Sequence, residues 1–408
     1  MLPVKIVIPG KFYDSFIYNK KLLLWNINGD IIQIDWDFLI EDFFENSENR
    51  FAYFCAFIHG DYLYGDRWRL IFEDPLVNKA IKHRFDRIKD VTFDIKKMNE
   101  NLISICSNPF PFPHSDCIIY RKYKKNPDLY ISTSEGLLKS PYYEHKNGNL
   151  FNTIKNSIKC HDIPSFNIDA QSDMIISSCG NDGVWGWSEV DDSNSVSDDL
   201  NLMRLSANHS TWINWSFSDI FSSSYYNGGY LLETSLNREN KNEQSFSIIK
   251  EFDANELFDK KGLTWGVGDK ICSLRDGEIS IYRYKRNIKN DEEKFTKLES
   301  FYDERISFSN IIKTGSAPWG YILEYRTMLL IIQSHGELIK IEHENQEIVN
   351  WRIFTRSVRY SNQLHVIFED NISIYSFNND YFQNQFEKNI GIRFIPNSSQ
   401  GYYRIHRL

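Results

Sequence analysis

Residues 160–162 read Cys-His-Asp, the three side-chain types from which a nucleophile, a general base and an orienting carboxylate are assembled. Adjacent side chains of an extended segment point to opposite faces, so Cys160, His161 and Asp162 do not converge on one reacting atom and a structural role is expected. His59-Gly60-Asp61 has the composition of a turn. The stretch TWGVGDKIC (264–272) gathers two glycines and Lys270, as a phosphate loop would. It lacks the Gly-Lys-Ser/Thr ending and the following helix that such a cradle needs, and a turn leading into a strand at Ile271 is the simpler reading. There is no CxxC, no HExxH and no pair of histidines four apart, so neither a dedicated zinc site nor a cofactor is expected. The acidic run EVDDSNSVSDDLN (189–201) could hold Ca²⁺, yet it has no glycine at a sharp turn and no closing Glu. A solvated loop is the expectation there.

The remaining candidates point to binding. RKYKK (121–125) interleaves Arg121, Lys122, Lys124 and Lys125 with an aromatic ring. DPLVNKAIKHRFDRI (74–88) opens with Asp74 as a cap and Pro75 at the first helical position. Leu76, Val77, Ala80, Ile81, Phe85 and Ile88 follow at helical spacing, which leaves Lys79, Lys82, His83, Arg84 and Arg87 on the polar side. Both basic stretches lie in the irregular 73–126 region, where a loop or inserted helix could meet an acidic protein or a nucleic-acid backbone. Trp212, Trp215, Tyr225, Tyr226 and Trp319 read as lying in or beside turns, where large aromatics can anchor a partner, although packing within strands accounts for them as well.

The elements that would carry these residues announce themselves by repetition. Eight times the chain runs from an apolar strand through a turn rich in Gly, Asn or Asp into a second strand with alternating apolar positions. The copies fall at 22–35, 53–66, 129–140, 174–187, 219–234, 270–284, 329–342 and 364–377. Their turns hold Gly29, Gly60, Gly136, Gly183, Gly229, Gly277 and Gly336, with Asn371 at the eighth. From Gly136 onward the first intervals are about 47, 46 and 48 residues, the length of a four-stranded propeller blade. The next is about 59, the excess being assigned to a charged loop at 285–299, and the last is about 35. Residues 101–123 read as a further hairpin with a long Pro-Phe loop.

The expected fold is therefore all-β: a single β-propeller over 1–408 with a helical or irregular insertion at 73–105. Seven blades fit the count best, with six and eight close behind. VKIVIP (4–9) or GIRFIP (391–396) would supply the strand that closes the last blade, which removes an exposed sheet edge. The aromatic content of 15% suits strands. A formal net charge of −8 argues against a general nucleic-acid binder. Six scattered cysteines read as free thiols, the N-terminus lacks the apolar core of a signal peptide, and no run is long enough to span a bilayer. A cytoplasmic protein is expected.

SSCGNDGVWGWSEV (177–190) resembles the end of a WD40 repeat, with Asp182, Gly183 and Trp187 at the matching positions. Ile34, Tyr64, Ile281, Ile341 and Tyr375 stand where the other copies would carry that Trp, so the chain resembles β-propellers as a class and no single family. ISTSEGLLKS (131–140) is separately similar to the hairpin of Asp-box propellers. The function expected is a non-catalytic scaffold subunit of a larger complex, docking a protein partner through Lys82, Arg84, Arg87, Lys122, Lys124, Trp212 and Trp215. The alternatives are an enzyme or small-ligand or glycan binder at a central channel, and a nucleic-acid-handling subunit using the basic 73–126 region.

Overall fold

The computed structural model describes residues 3–377, leaving out 65–68, 73, 99–101, 122–125, 143–153, 155, 172–173, 189–201, 217–218, 225–227, 241–242, 259–261, 276, 287, 289, 304–305, 307–309, 334–335, 345 and 358. Alternating apolar residues make strands, and strands dominate. β1 (Val4–Pro9), β2 (Phe12–Tyr18), β3 (Lys21–Asn26) and β4 (Ile31–Asp35) come first. Among the described residues five α-helices interrupt: α1 (Trp36–Phe44), α2 (Arg50–Phe57), α3 (Asp61–Tyr64), α4 (Arg69–Phe72) and α5 (Pro75–Phe85). β5 (Val91–Thr92) and β6 (Ile103–Cys106) follow.

From there sheets come in fours. One comprises β7 (Asp116–Tyr120), β8 (Asp128–Thr133), β9 (Gly136–Pro141) and β10 (Ile158–His161). The next holds β11 (Asn167–Gln171), β12 (Met174–Ser178), β13 (Val184–Ser188) and β14 (Leu202–Ser206). Then come β15 (Trp212–Ser216), β16 (Asp219–Ser224), β17 (Gly228–Asn240) and β18 (Glu243–Asp253), the last followed by α6 (Ala254–Leu257). β19 (Leu263–Val267), β20 (Lys270–Arg275) and β21 (Glu278–Tyr284) are completed, after α7 (Asp291–Lys294), by β22 (Phe295–Tyr302). β23 (Lys313–Ala317), β24 (Gly320–Tyr325), β25 (Met328–Gln333) and β26 (Leu338–Glu342) form another. β27 (Asn350–Ile353), β28 (Gln363–Ile367) and β29 (Asn371–Ser376) then take β1 as fourth strand, and β2, β3, β4 and β6 make the remaining sheet. Seven meandering sheets are the blades of a seven-bladed β-propeller.

β1 closes the last blade, pairing antiparallel with β29 from Val4↔Ser376 to Pro9↔Asn371. Of the two closing strands expected, VKIVIP is the one used, and 391–396 lies outside the described residues. β5 pairs parallel to the outer side of β1, so the edge of this blade is covered. The contacts divide the chain into two compact units. One holds 1–28, 32–104 and 309–408; the other holds 29–31 and 105–308.

Several local expectations change. The copy at 53–66 is helical, forming most of α2 and all of α3, and Gly60 does not have a positive φ. Its apolar run buries Cys55 and Ala56, which with Ala52 just before it fall at helical spacing, and a short apolar run does not by itself distinguish helix from buried strand. The copy at 329–342 is a hairpin, but of the third and fourth strands of its blade. The equivalent turn is Arg326-Thr327, between β24 and β25. Measured from there the uneven spacings of about 59 and 35 even out, and 285–299 holds α7 and the start of β22 as well as loop. Residues 101–123 are no hairpin, since β6 pairs in the sheet of β4 and β7 in that of β8. In the copy at 219–234 the positive φ belongs to Gly228 rather than Gly229, and Asn371 begins β29 without a positive φ. Gly183 does need its glycine: its φ is 84° and a Cβ there would lie 2.1 Å from the Ser206 carbonyl oxygen.

Within each unit, first strands are tied to one another by buried carboxylates. Asp116 of β7 accepts from the Ile168 amide of β11 at 3.0 Å, and Asp169 of β11 accepts from the Trp215 amide of β15 at 2.7 Å. In the other unit Asp14 of β2 accepts from Arg352 Nε at 2.8 Å and Asn350 Nδ2 at 2.9 Å, both on β27. Each of these three aspartates also accepts the amide of its own successor, which fixes its rotamer.

Candidate partner-docking surface

The five-helix insertion is the largest departure from blade geometry, and its inner side belongs to the core. Trp36, Leu39, Ile40 and Phe44 of α1, Ala52, Cys55, Ala56 and Phe57 of α2, and Ile81 and Phe85 of α5 join one apolar cluster with Ile6, Ile8, Leu22, Ile34, Ile372 and Ile374 of the strands. Phe44 stacks on Tyr53 at 3.7 Å between centroids.

Polar bonds fix the root of the insertion to the last blade. The carbonyls at the C-terminal end of α2, which have no intrahelical donors, receive them from elsewhere. Asn362 Nδ2 donates to the Ala56 carbonyl at 2.8 Å, and Gln363 Nε2 and Trp36 Nε1 donate to the Phe57 carbonyl at 2.7 and 2.9 Å. Arg359 donates to Asp37 Oδ2 at 2.9 Å and Tyr360 donates to Oδ1 at 3.1 Å. Burial raises the Asp37 carboxyl above its ordinary value, against the lowering influence of Arg359 and Tyr360. Burial, with Asp61 nearby, also pushes the Cys55 thiol up.

α5 begins where the sequence indicates. Asp74 Oδ1 accepts the amides of Leu76 at 2.9 Å and Val77 at 3.1 Å, and Pro75 occupies the first turn. Its buried stripe is narrower than expected: Ile81 and Phe85 are buried and Val77 and Ile88 half-buried, whereas Leu76 and Ala80 are exposed. Lys79, Lys82, His83, Arg84 and Arg87 all face solvent. Lys82 pairs with Asp86 at 3.2 Å and Arg84 donates to the Glu48 carbonyl at 2.7 Å. Cations at this end of the helix also complement its dipole. The result is a rigidly seated helix with a basic outer face.

The other expected contact residues divide. Lys122 and Lys124 lie outside the described residues, as do Tyr225, Tyr226 and the acidic run 189–201; Arg121 is exposed. Trp212 and Trp215 stand within β15 and not in a turn. Trp215 is 5% exposed and packs edge-on against Phe246, so its ring offers no docking surface; Trp212 is half-buried. Trp319, at 1% exposure, stacks on Phe377 at 3.7 Å. These three are blade packing. Sequence reasoning missed the exposed Phe38, Glu41, Asp42 and Glu45 of α1, although Trp36, Ile40 and Phe44 at four-residue spacing carry the helical signal.

Cys160, His161 and Asp162 diverge. His161 is buried with Nε2 3.3 Å from Ser177 Oγ, while Asp162 is exposed and pairs with Lys159 at 2.7 Å. Burial pushes the His161 imidazole down to about 4. Val267 and Lys270 flank a tight turn between β19 and β20, with Lys270 buried against Asp269, so 264–272 is a hairpin. The six cysteines are free thiols, four of them buried.

No family model and no curated protein matches the chain. Among solved structures it is similar to the Pan2 WD40 domain of Neurospora crassa, with a TM-score of 0.45 at 7% identity over 90% of this chain and 89% of that one. It is also similar to the β-propeller domain of Cps50 (Swd1) from Myceliophteria thermophila, with a TM-score of 0.38 at 12% identity over 66% of this chain and 98% of that one. A third is the extracellular domain of a putative one-component system of B. thetaiotaomicron, with a TM-score of 0.43 at 14% identity, covering 91% of this chain and 41% of that one. Among the described residues no helix is long and apolar enough to cross a membrane.

Proposed function

We propose that this propeller is a non-catalytic interaction subunit that presents the outer face of α5 to an acidic segment of a protein partner. The observation that carries the reading is the two-sided character of α5. Ile81 and Phe85 are sealed into a core shared with the strands, and the opposite side exposes Lys79, Lys82, His83, Arg84 and Arg87. A helix anchored in this way loses little conformational freedom on binding, so its charges act from fixed positions. Reversing Lys82, Arg84 and Arg87 to Glu is expected to abolish partner capture from a lysate of the native host, while thermal unfolding stays within a few degrees of the parent. Undiminished capture, or capture displaced by added RNA or DNA rather than by salt alone, contradicts the reading.

A further inference from the structure

The insertion has a second outward stripe, and it is the counterpart of the one on α5. Phe38, Glu41, Asp42 and Glu45 are exposed at i, i+3, i+4 and i+7, hence on one side of α1 and its cap. Leu76, Lys79 and His83 are exposed at i, i+3 and i+7 on α5, with Arg87 one turn beyond. Each stripe opens with a large apolar side chain left in solvent, Phe38 at 54% exposure and Leu76 at 80%. Each continues in side chains of one type, acidic on α1 and basic on α5. Among the described residues the side chains of Glu41, Asp42, Glu45, Lys79, His83 and Arg87 have no hydrogen-bonding or ion-pair partner. Within one copy α2 packs against both α1 and α5, and the two stripes are turned to solvent rather than to each other.

We propose that a second copy of this chain docks here, the α1 stripe of one copy lying along the α5 stripe of the other. Aligned in parallel, Phe38 meets Leu76 and Glu41 and Glu45 meet Lys79 and His83, because the spacings coincide. The proposal rests on α5 being a docking face, and it names an occupant for it. Exposed ion pairs each contribute little and are screened by salt, so the association is concentration-dependent and weakens as ionic strength rises.

Sedimentation velocity on the full chain tests this, at about 0.05 M and about 0.5 M NaCl, conditions whose screening lengths differ about threefold. The expected result is association at low salt that is lost at high salt. A variant with Glu41, Asp42 and Glu45 changed to Lys, and one with Lys79, His83 and Arg87 changed to Glu, are each expected to be monomeric. Mixed in equal amounts they are expected to associate again, since each interface then sets acidic side chains against basic ones; recovery on mixing also shows that both variants are folded. A parent chain that is monomeric at low salt overturns the proposal, as does a mixture that stays monomeric. If the parent is monomeric and reversal of α5 still abolishes capture of another protein, self-association is wrong and the docking face stands.

Discussion

Asp14 shows how much of this fold depends on single buried charges. It is fully buried, accepts from Arg352 and Asn350 across a blade boundary, and also holds the amide of Ser15. Removing one partner of such a pair leaves the other charge uncompensated, so Asp14→Ala is expected to lower stability by about 3–5 kcal/mol in urea unfolding. Buried histidines give the opposite kind of dependence. His365 lies between Ser15 Oγ and Gln363 Oε1, and burial pushes its imidazole down to about 3. With the unfolded value near 6.5, the unfolded chain binds the proton first, so stability is complete above that pH and falls as the pH drops toward the folded value. His161 acts in the same direction, and each histidine removes about 2 kcal/mol at pH 5. Asp37, Asp219 and Glu324, all raised by burial, oppose the loss, because protonation favours the folded state for them. His365→Gln is therefore expected to flatten the decline between pH 7 and pH 5 by about 2 kcal/mol. An unchanged slope would show that His365 does not titrate between the two states.

At the scale of elements, what the sequence made legible was whatever a short window determines. Seven of the eight repeated phrases are hairpins, and α5 begins at the cap and proline that mark it. The windows failed where tertiary context decides. Residues 53–66 have the apolar density of a strand, but Ala52, Cys55 and Ala56 pack as one face of α2 against neighbours that no local window contains. The hairpin at 329–342 was visible, but which strands of the blade it joins depends on β23 and β24. Trp215 looked like a binding anchor because its neighbours resemble a turn, and pairing with β16 buries it. The same division governs the docking surface: the basic side of α5 is local periodicity, while the bonds that seat the insertion join residues about 300 apart, such as Asn362 and Ala56. Those bonds predict local behaviour. Replacing both Asn362 and Gln363 by Ala leaves buried carbonyls of α2 without these donors, and limited proteolysis is expected to cut within 36–90 before it cuts the blades. Simultaneous cleavage everywhere would show that the insertion does not open separately.

For the molecule as a whole, β1 and β5 together close and cover the last blade, and the insertion between β4 and β5 shares its core with that blade. Strand edges are thus managed where the chain begins, and the insertion is held rigidly enough to present charge. On the proposed reading, the protein's role is to present that charge to a partner. Hydrogen–deuterium exchange on the chain with and without its captured partner tests it most directly. Slowed exchange over 75–88, with the strands of 105–302 unchanged, is the expected result. Protection confined to 105–302, with 75–88 exchanging as in the free chain, would contradict it.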